Sequence, residues 1–495
     1  MGYMIRQIAA DRTLCQELTV DILQATLTND TIHAVLTAHG AHADRERKFT
    51  MTAVVWVVLA MNLFTAMSIA AVIRTLLKSL RLLWPGADPL LPSDSAFSYR
   101  RYQLGARPIV DLFHTVCRPM TTLATPGAFR FGLRLMALDG TVEDLPDTPA
   151  NLRAFGRLQG ARGPSAFPQV QGVYLVECGA HAIVDAGFWP IHTSERVGGF
   201  RLLRSVEPGM LLMWDRGFHD YDLLLAVQQR RAQVLGRLPA HVKPQWVRRL
   251  SDGSYLAQLR PAEGPRRTSG ERLLVRIVEY TLTDPSLPGY GERYRLVTTL
   301  LDERSAPALD VAWTYHERWE IEVVIDEVAT HQRLADHPLR SQKPVGVIQE
   351  LYALLIAHYA VRKVMLAAAE EAKVDPDRLS FVHALRVIQE TLPEFQLVAR
   401  SEVARLYQRV VRDVARERVP ERKPRSNPRV VKRKMSKFKL KRAAQAPVAP
   451  AEVRSFREAI AIRDGLDGHG AALLDQSEAL ELPLIRWRTT VEILI

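Results

Sequence analysis

Two short apolar runs in the middle of the chain end in the same way. Leu133-Arg134-Leu135-Met136-Ala137-Leu138 stops on Asp139-Gly140-Thr141, and Met210-Leu211-Leu212-Met213-Trp214 stops on Asp215-Arg216-Gly217-Phe218. Runs this apolar and this short predict buried strands, and the glycine just beyond each Asp marks where the strand leaves its sheet. Around them, 173–177 and 182–188 predict two more strands joined through Cys178-Gly179-Ala180. Segments 194–206, weakened by Gly198 and Gly199, and 221–230 predict helices. From 239 to 305 the pattern changes: 255–259, 274–278 and 294–300 read as short strands between Pro-, Gly- and Arg-rich loops. Past 306 the period turns helical, and apolar stripes over 345–363 and 380–391 predict helices covering the sheet.

The N-terminal quarter is helical throughout. Residues 1–48 read as small helices, with Asp11, Glu17 and Asp21 breaking any secretory-signal pattern. Residues 49–73 contain no charge and are long enough to cross a bilayer. Thr50, Thr52, Asn62, Thr65 and Ser68, with no second such segment, favour one or two buried helices instead. Pro92-Ser93-Asp94-Ser95 predicts a turn and N-cap opening a helix over 96–104, ended by Gly105. That helix carries Tyr99, Arg100, Arg101 and Tyr102, which suits either a solvated basic face or contact with DNA.

Near residue 320 the spacing carries chemistry. At about 100° per residue, Tyr315, Arg318 and Glu322 share one stripe of a helix, Glu320 points elsewhere, and Ile321, Val324, Ile325 and Val328 form the face to bury. One carboxylate beside one guanidinium suits a phosphate-handling site. Together with strand-end Asp139 and Asp215, Glu322 completes a three-carboxylate set fitted to hard divalent cations.

These motifs, in this order, resemble the insertion-sequence-four family of DDE transposases. The matching residues are Asp139-Gly140-Thr141 with Pro146-Asp147-Thr148-Pro149, then Asp215-Arg216-Gly217-Phe218, then Tyr315, Arg318 and Glu322; the family's Lys, seven positions past its Glu, falls here on Ala329. The resemblance covers roughly 40–390. It implies an α/β fold, an RNase H-like mixed-sheet core interrupted by a β-rich insertion, with a helical N-terminal domain and a basic C-terminal segment. The expected boundaries are 1–125 for a helical DNA-binding domain, 126–238 and 306–400 for the two parts of the core, 239–305 for the insertion and 401–495 for the basic region. It further implies two Mg²⁺ or Mn²⁺ ions held by Asp139, Asp215 and Glu322. Arg318, Tyr315 and Arg216 would lie near phosphate. The implied activity is cleavage at the ends of an insertion sequence and joining of those ends to target DNA, by a homodimer in a synaptic complex. A catalytically inactive DNA-binding descendant is the alternative that Ala329 keeps open, and a basic membrane-associated protein is the one that 49–73 keeps open.

Charge adds the last element. The 495 residues carry a formal net charge of +12, which points to an anionic partner. Segment 401–442 alone holds 16 Lys or Arg against 4 Asp or Glu, so it accounts for the whole excess. Lys432, Arg433 and Lys434 lie in its densest run and are expected to meet the DNA backbone. Trp246, beside Lys243, Arg248 and Arg249, is either a packed side chain or a stacking platform for an unpaired base. Cys15, Cys117 and Cys178 form no disulfide framework or zinc spacing, which fits a reducing cytoplasm and, for a DNA-bound bacterial protein, association with the nucleoid.

Overall fold

In the computed structural model the described residues are 2–7, 20–23, 25–41, 49–83, 93–160, 163–261, 270–285, 290–334, 339–420 and 456–463. The predicted strands form as β1 (Leu133–Asp144), β2 (Gln169–Glu177), β3 (Ala182–Pro190) and β4 (Met210–Trp214), followed by β5 (Gln233–Arg237). Strand β1 does not leave the sheet at Gly140 as expected but runs on to Asp144, because β2 pairs with it that far. Their spatial order is β3-β2-β1-β4-β5. The pairs among β1, β2 and β3 are antiparallel, whereas β1, β4 and β5 run parallel. That order is the RNase H-like arrangement. Residues 135–138 and all of β4 are buried, as expected of strands covered on both faces.

The segment expected as a separate β-rich insertion does form strands: β6 (Gln245–Arg249), β7 (Tyr255–Leu259), β8 (Leu273–Leu282) and β9 (Arg293–Thr298). It is not a separate layer. β9 pairs with β5, and the sheet continues through β8 and β7 to an edge at β6. The boundary placed at 239 therefore falls inside one sheet.

The N-terminal helices are α1 (Asn29–Ala38), α2 (Met51–Ala60), α3 (Ile69–Leu83), α4 (Asp94–Leu104) and α5 (Arg107–Val116). They share one hydrophobic core with the sheet rather than forming a unit of their own. The charge-free stretch 49–73 becomes α2, a turn and the start of α3, and Val54, Val55, Trp56 and Val57 of α2 are all inaccessible to solvent. Helices α6 (Pro149–Phe155), α7 (Glu195–Leu202) and α8 (Tyr221–Gln229) follow. In α7, Gly198 and Gly199 are close-approach positions rather than weak points. A Cβ on Gly198 would stand 2.5 Å from Val173 Cγ2, and one on Gly199 3.0 Å from Leu138 Cδ2.

The stripe expected as one helix is interrupted. Helix α9 (Ala308–His316) ends before Arg318, α10 (Trp319–Asp326) begins after it, and a π-helical turn, Glu327–Gln332, closes the run. Then come α11 (Pro344–Ala372), α12 (Phe381–Leu397) and α13 (Val403–Val414). Among the described residues α11 is long and apolar enough to cross a membrane, but 89% of its apolar window is buried inside the protein. Helix α13 buries Leu406, Val410, Val411 and Val414, so the first part of the basic segment is packed structure and not a tail.

Candidate active site

The register of the sheet brings Asp139, in the middle of β1, beside Asp215, just past the end of β4. Leu138 of β1 lies opposite Trp214 of β4. One residue further, Asp139 and Asp215 stand side by side, where β4 has stopped and β1 runs on to Asp144. Asp139 Oδ1 accepts a hydrogen bond from Gly140 N at 2.8 Å. Asp215 caps the short turn Arg216–Phe218, its Oδ1 accepting from Gly217 N at 2.7 Å. Both carboxylates are thus fixed by backbone donors next to them in sequence.

Glu322 arrives from α10, on the face of β1 opposite α7: Leu138 packs against Gly199 of α7, and side chains alternate along a strand. Its carboxylate is joined to Asp139 through one guanidinium. Arg318 Nη2 lies 3.2 Å from Glu322 Oε1 and Nη1 lies 3.6 Å from Asp139 Oδ2. Arg318 itself is buried, against the rings of Tyr315 and Trp319. The helix break lies beside this residue, and Arg318 remains in helical conformation, so i and i+4 still face each other.

Burial pushes the Asp139 carboxyl up to about 6, against the pull of Arg318 and the Gly140 N–H, with Asp215 and Glu322 adding to the rise. Its folded value thus exceeds its unfolded one, so ionised Asp139 costs stability once the pH has passed both. In metal-free protein stability should fall as pH rises from about 4 to 6, by about 3 kcal/mol for this group. Asp139→Asn should then unfold at a higher temperature than the parent at pH 8 in EDTA, with the difference fading by pH 4. Melting curves at the two pH values test this; an Asn variant less stable at pH 8 would refute it.

Three carboxylates with a guanidinium lodged between two of them form a hard-oxygen donor set that already demands positive charge. The residues present therefore fit divalent cations such as Mg²⁺ or Mn²⁺. A second group, His181, Glu320 and Asp377, also brings potential ligand atoms within 4.8 Å of one another. Here the histidine takes the charge. Burial and Arg362 oppose protonation, but Asp377 and Glu320 hold its pKa well above the usual imidazole value. The group is an ion-pair cluster built on His181.

The other expected contacts fare differently. Tyr315 is buried, with the Arg318 guanidinium 5.8 Å from its ring centre, so it lies behind that residue rather than on the surface. Arg216 is exposed beside Asp215. Trp246 is 51% exposed on edge strand β6, between the exposed chains of Gln245 and Arg248. Arg100 and Arg101 must be corrected, because both are buried. Arg101 donates to Gln349 Oε1, Ser341 Oγ and the Gly346 carbonyl, and Arg100 to Gln103 Oε1 and the Phe49 carbonyl. They tie α4 to α11 and to the start of α2. Ala329 falls within the π-helical turn, whose wider spacing breaks the seven-residue phase from Glu322. Lys432, Arg433 and Lys434 lie outside the described residues.

Two features had no legible signal in the sequence. Glu195, at the first turn of α7, places its carboxylate over Gly140 and near Asp215. Glu327, fully buried, is shared by His181, His358 and Arg362. Glu195 looks like an ordinary first-turn acid after the Ser194 N-cap, and Glu327 like one acid in a charged helix; only the sheet register gives them neighbours.

Residues 17–114 match the family described as insertion element 4 transposase N-terminal, and 130–359 match the transposase DDE domain. The transposase InsG of insertion sequence element IS4 from Escherichia coli K12 is 28% identical over 397 residues, 79% of this chain and 86% of that protein. The putative transposase InsZ of the same organism is 26% identical over 239 residues, 47% of this chain and 75% of that one. A solved piggyBac transposase synaptic complex with hairpin DNA superposes at a TM-score of 0.39 with 12% identity, over 86% of this chain and 90% of that one, too loosely to carry an argument.

Proposed function

Since the chain belongs to the insertion element 4 family of DDE transposases and is a DNA transposase, we propose that it cuts the phosphodiester bonds at the ends of its own element and joins them to target DNA. The convergence of Asp139, Asp215 and Glu322 around Arg318 is the observation that carries this reading. Asp139, Asp215 and Glu322 would together hold the two ions, with Asp139 as the carboxylate common to both. Divalent ions such as Mg²⁺ or Mn²⁺ held there would supply Lewis-acid activation of the attacking oxygen and charge stabilisation for the leaving one. Arg318 supplies a forked donor to a backbone phosphate; its Nε is buried with no acceptor among the described residues. Tyr315 holds that fork from behind, and Arg216 adds an exposed cation at the rim. Trp246 with its arginine neighbours extends the contact along the sheet edge. The working form is taken to be a homodimer on paired DNA ends, in the cytoplasm with the nucleoid.

Purified full-length protein, given duplexes carrying the terminal inverted repeats that flank its gene, should cleave at the repeat boundary with Mg²⁺ or Mn²⁺. No cleavage should occur in EDTA. Binding without cleavage under every metal condition would favour the inactive descendant instead.

The basic segment is expected to add sequence-independent affinity. Because α13 is packed, the informative truncation ends at Pro420 and still removes 11 Lys or Arg against one Glu from 421–442. The log–log salt dependence of DNA binding should flatten by several units, at about 0.9 for each phosphate no longer neutralised. An unchanged slope in a folded truncation would refute the assignment.

A further inference from the structure

We propose that Glu195 is a fourth carboxylate of the metal-binding site, reaching the ions from the α7 face of the sheet while Glu322 reaches them from the α10 face. The inference rests on the two-ion reading above. Asp139 and Gly140 are neighbours on β1, so their side-chain directions point to opposite faces. The Asp139 side meets Arg318 and Glu322. The Gly140 side meets Glu195: a Cβ on Gly140 would stand 2.5 Å from the Glu195 carboxylate carbon, inside any permitted contact. Gly140 thus leaves out a side chain where the Glu195 carboxylate lies.

The same carboxylate also faces the second aspartate. Glu195 Oε2 and Asp215 Oδ1 lie 3.5 and 3.1 Å from the point where a Cβ of Gly217 would stand. Glu195 therefore lies against both glycines, each one or two residues beyond an aspartate of the site. Its position is held from two sides. The Ser194 side chain caps α7 by accepting from Val197 N, which fixes the start of the helix. Gln171, buried on β2, lies beside the Glu195 carboxylate and is itself fixed by donating its amide to the carbonyls of Thr141 and Gly172. A structural acid in a first helical turn needs only the helix dipole and solvent. This one is seated in a glycine cradle beside two metal-ligand candidates, where a cation is the counter-charge that the three carboxylates share.

Mn²⁺ binding provides the test, because it is read without turnover. Full-length protein, alone and bound to an end duplex, is titrated with Mn²⁺ and the free ion followed by its paramagnetic resonance signal. The parent is expected to take up two ions per chain. Glu195→Gln, which keeps the shape of the side chain, should weaken one of them by about tenfold or more. Gly140→Ala, which keeps every carboxylate but crowds the cradle, should weaken the same ion, with Glu207→Gln as the control away from the site. Loss of Mn²⁺ uptake in Asp139→Asn but full uptake in Glu195→Gln would overturn the role of Glu195 alone. Absence of uptake by the parent, or uptake unaltered by Asp139→Asn, would overturn the two-ion reading and this inference with it. A lowered melting temperature in Glu195→Gln with parental Mn²⁺ affinity would make Glu195 a helix-start residue only.

Discussion

Asp139→Asn, Asp215→Asn and Glu322→Gln should each slow single-turnover end cleavage by about a thousandfold or more while end binding persists. Each exchange keeps the shape of the side chain and removes one anionic ligand. Loss of an ion that stabilises charge at the reacting phosphate forfeits several kcal/mol of transition-state stabilisation, and about 4 kcal/mol is a thousandfold in rate. Binding should survive because the phosphate contacts proposed for Arg318, the β6 edge and the basic segment are untouched. A variant cleaving near the parental rate would remove that residue from the ligand set. Glu320→Gln is an unsuitable neutral control despite lying off the catalytic stripe, since Glu320 Oε2 pairs with buried His181 Nε2 at 2.6 Å.

Glu327→Ala should be among the most destabilising single changes in the chain, by about 3–5 kcal/mol, because it strands buried positive charge. Burial favours a neutral acid at 327, but Arg362 and the hydrogen bonds from His181 and His358 hold the carboxyl well below its ordinary range. His358 and Arg362 belong to α11, His181 to the turn between β2 and β3, and Glu327 to the turn after α10. Removing this one carboxylate frees three elements from each other, including the helix that carries Glu322. Urea titration of metal-free protein gives the measurement. A midpoint within experimental error of the parent would mean that the charges had found other partners.

Strands β1 and β4 were legible because covering both faces of a strand demands unbroken apolar runs, and such runs are rare in an otherwise mixed sequence. The pairing of Asp139 with Asp215 was legible only through resemblance; the parallel register that produces it is a long-range fact. Arg100 and Arg101 misled because a basic residue in a helix is ordinarily solvated, yet Gln349, Ser341 and the Gly346 carbonyl give Arg101 enough acceptors to be buried. Strands β7, β8 and β9 were visible from local pattern and β6 was not expected, whereas the membership of all four in the core sheet depends on β9 finding β5, which local pattern does not encode. The break near Arg318 and the π-helical turn escaped because their hydrogen bonding answers to tertiary neighbours. Buried Glu327 sits at the head of that turn.

Arg318 gives the site a thermodynamic linkage. In the metal-free protein its guanidinium occupies the attraction of Asp139 and Glu322, so an incoming cation must displace an internal rival. A DNA phosphate offers that rival another anion. If the carboxylates bind ions and Arg318 binds phosphate as proposed, ions would release the arginine toward DNA, and DNA would release the carboxylates toward ions. By reciprocity each ligand must raise the affinity for the other by the same factor. On the proposed reading, a chain built this way would resist arming its site in free solution and would complete it on DNA, a safeguard suited to a cleavage activity whose stray cuts would fall on the host's genome.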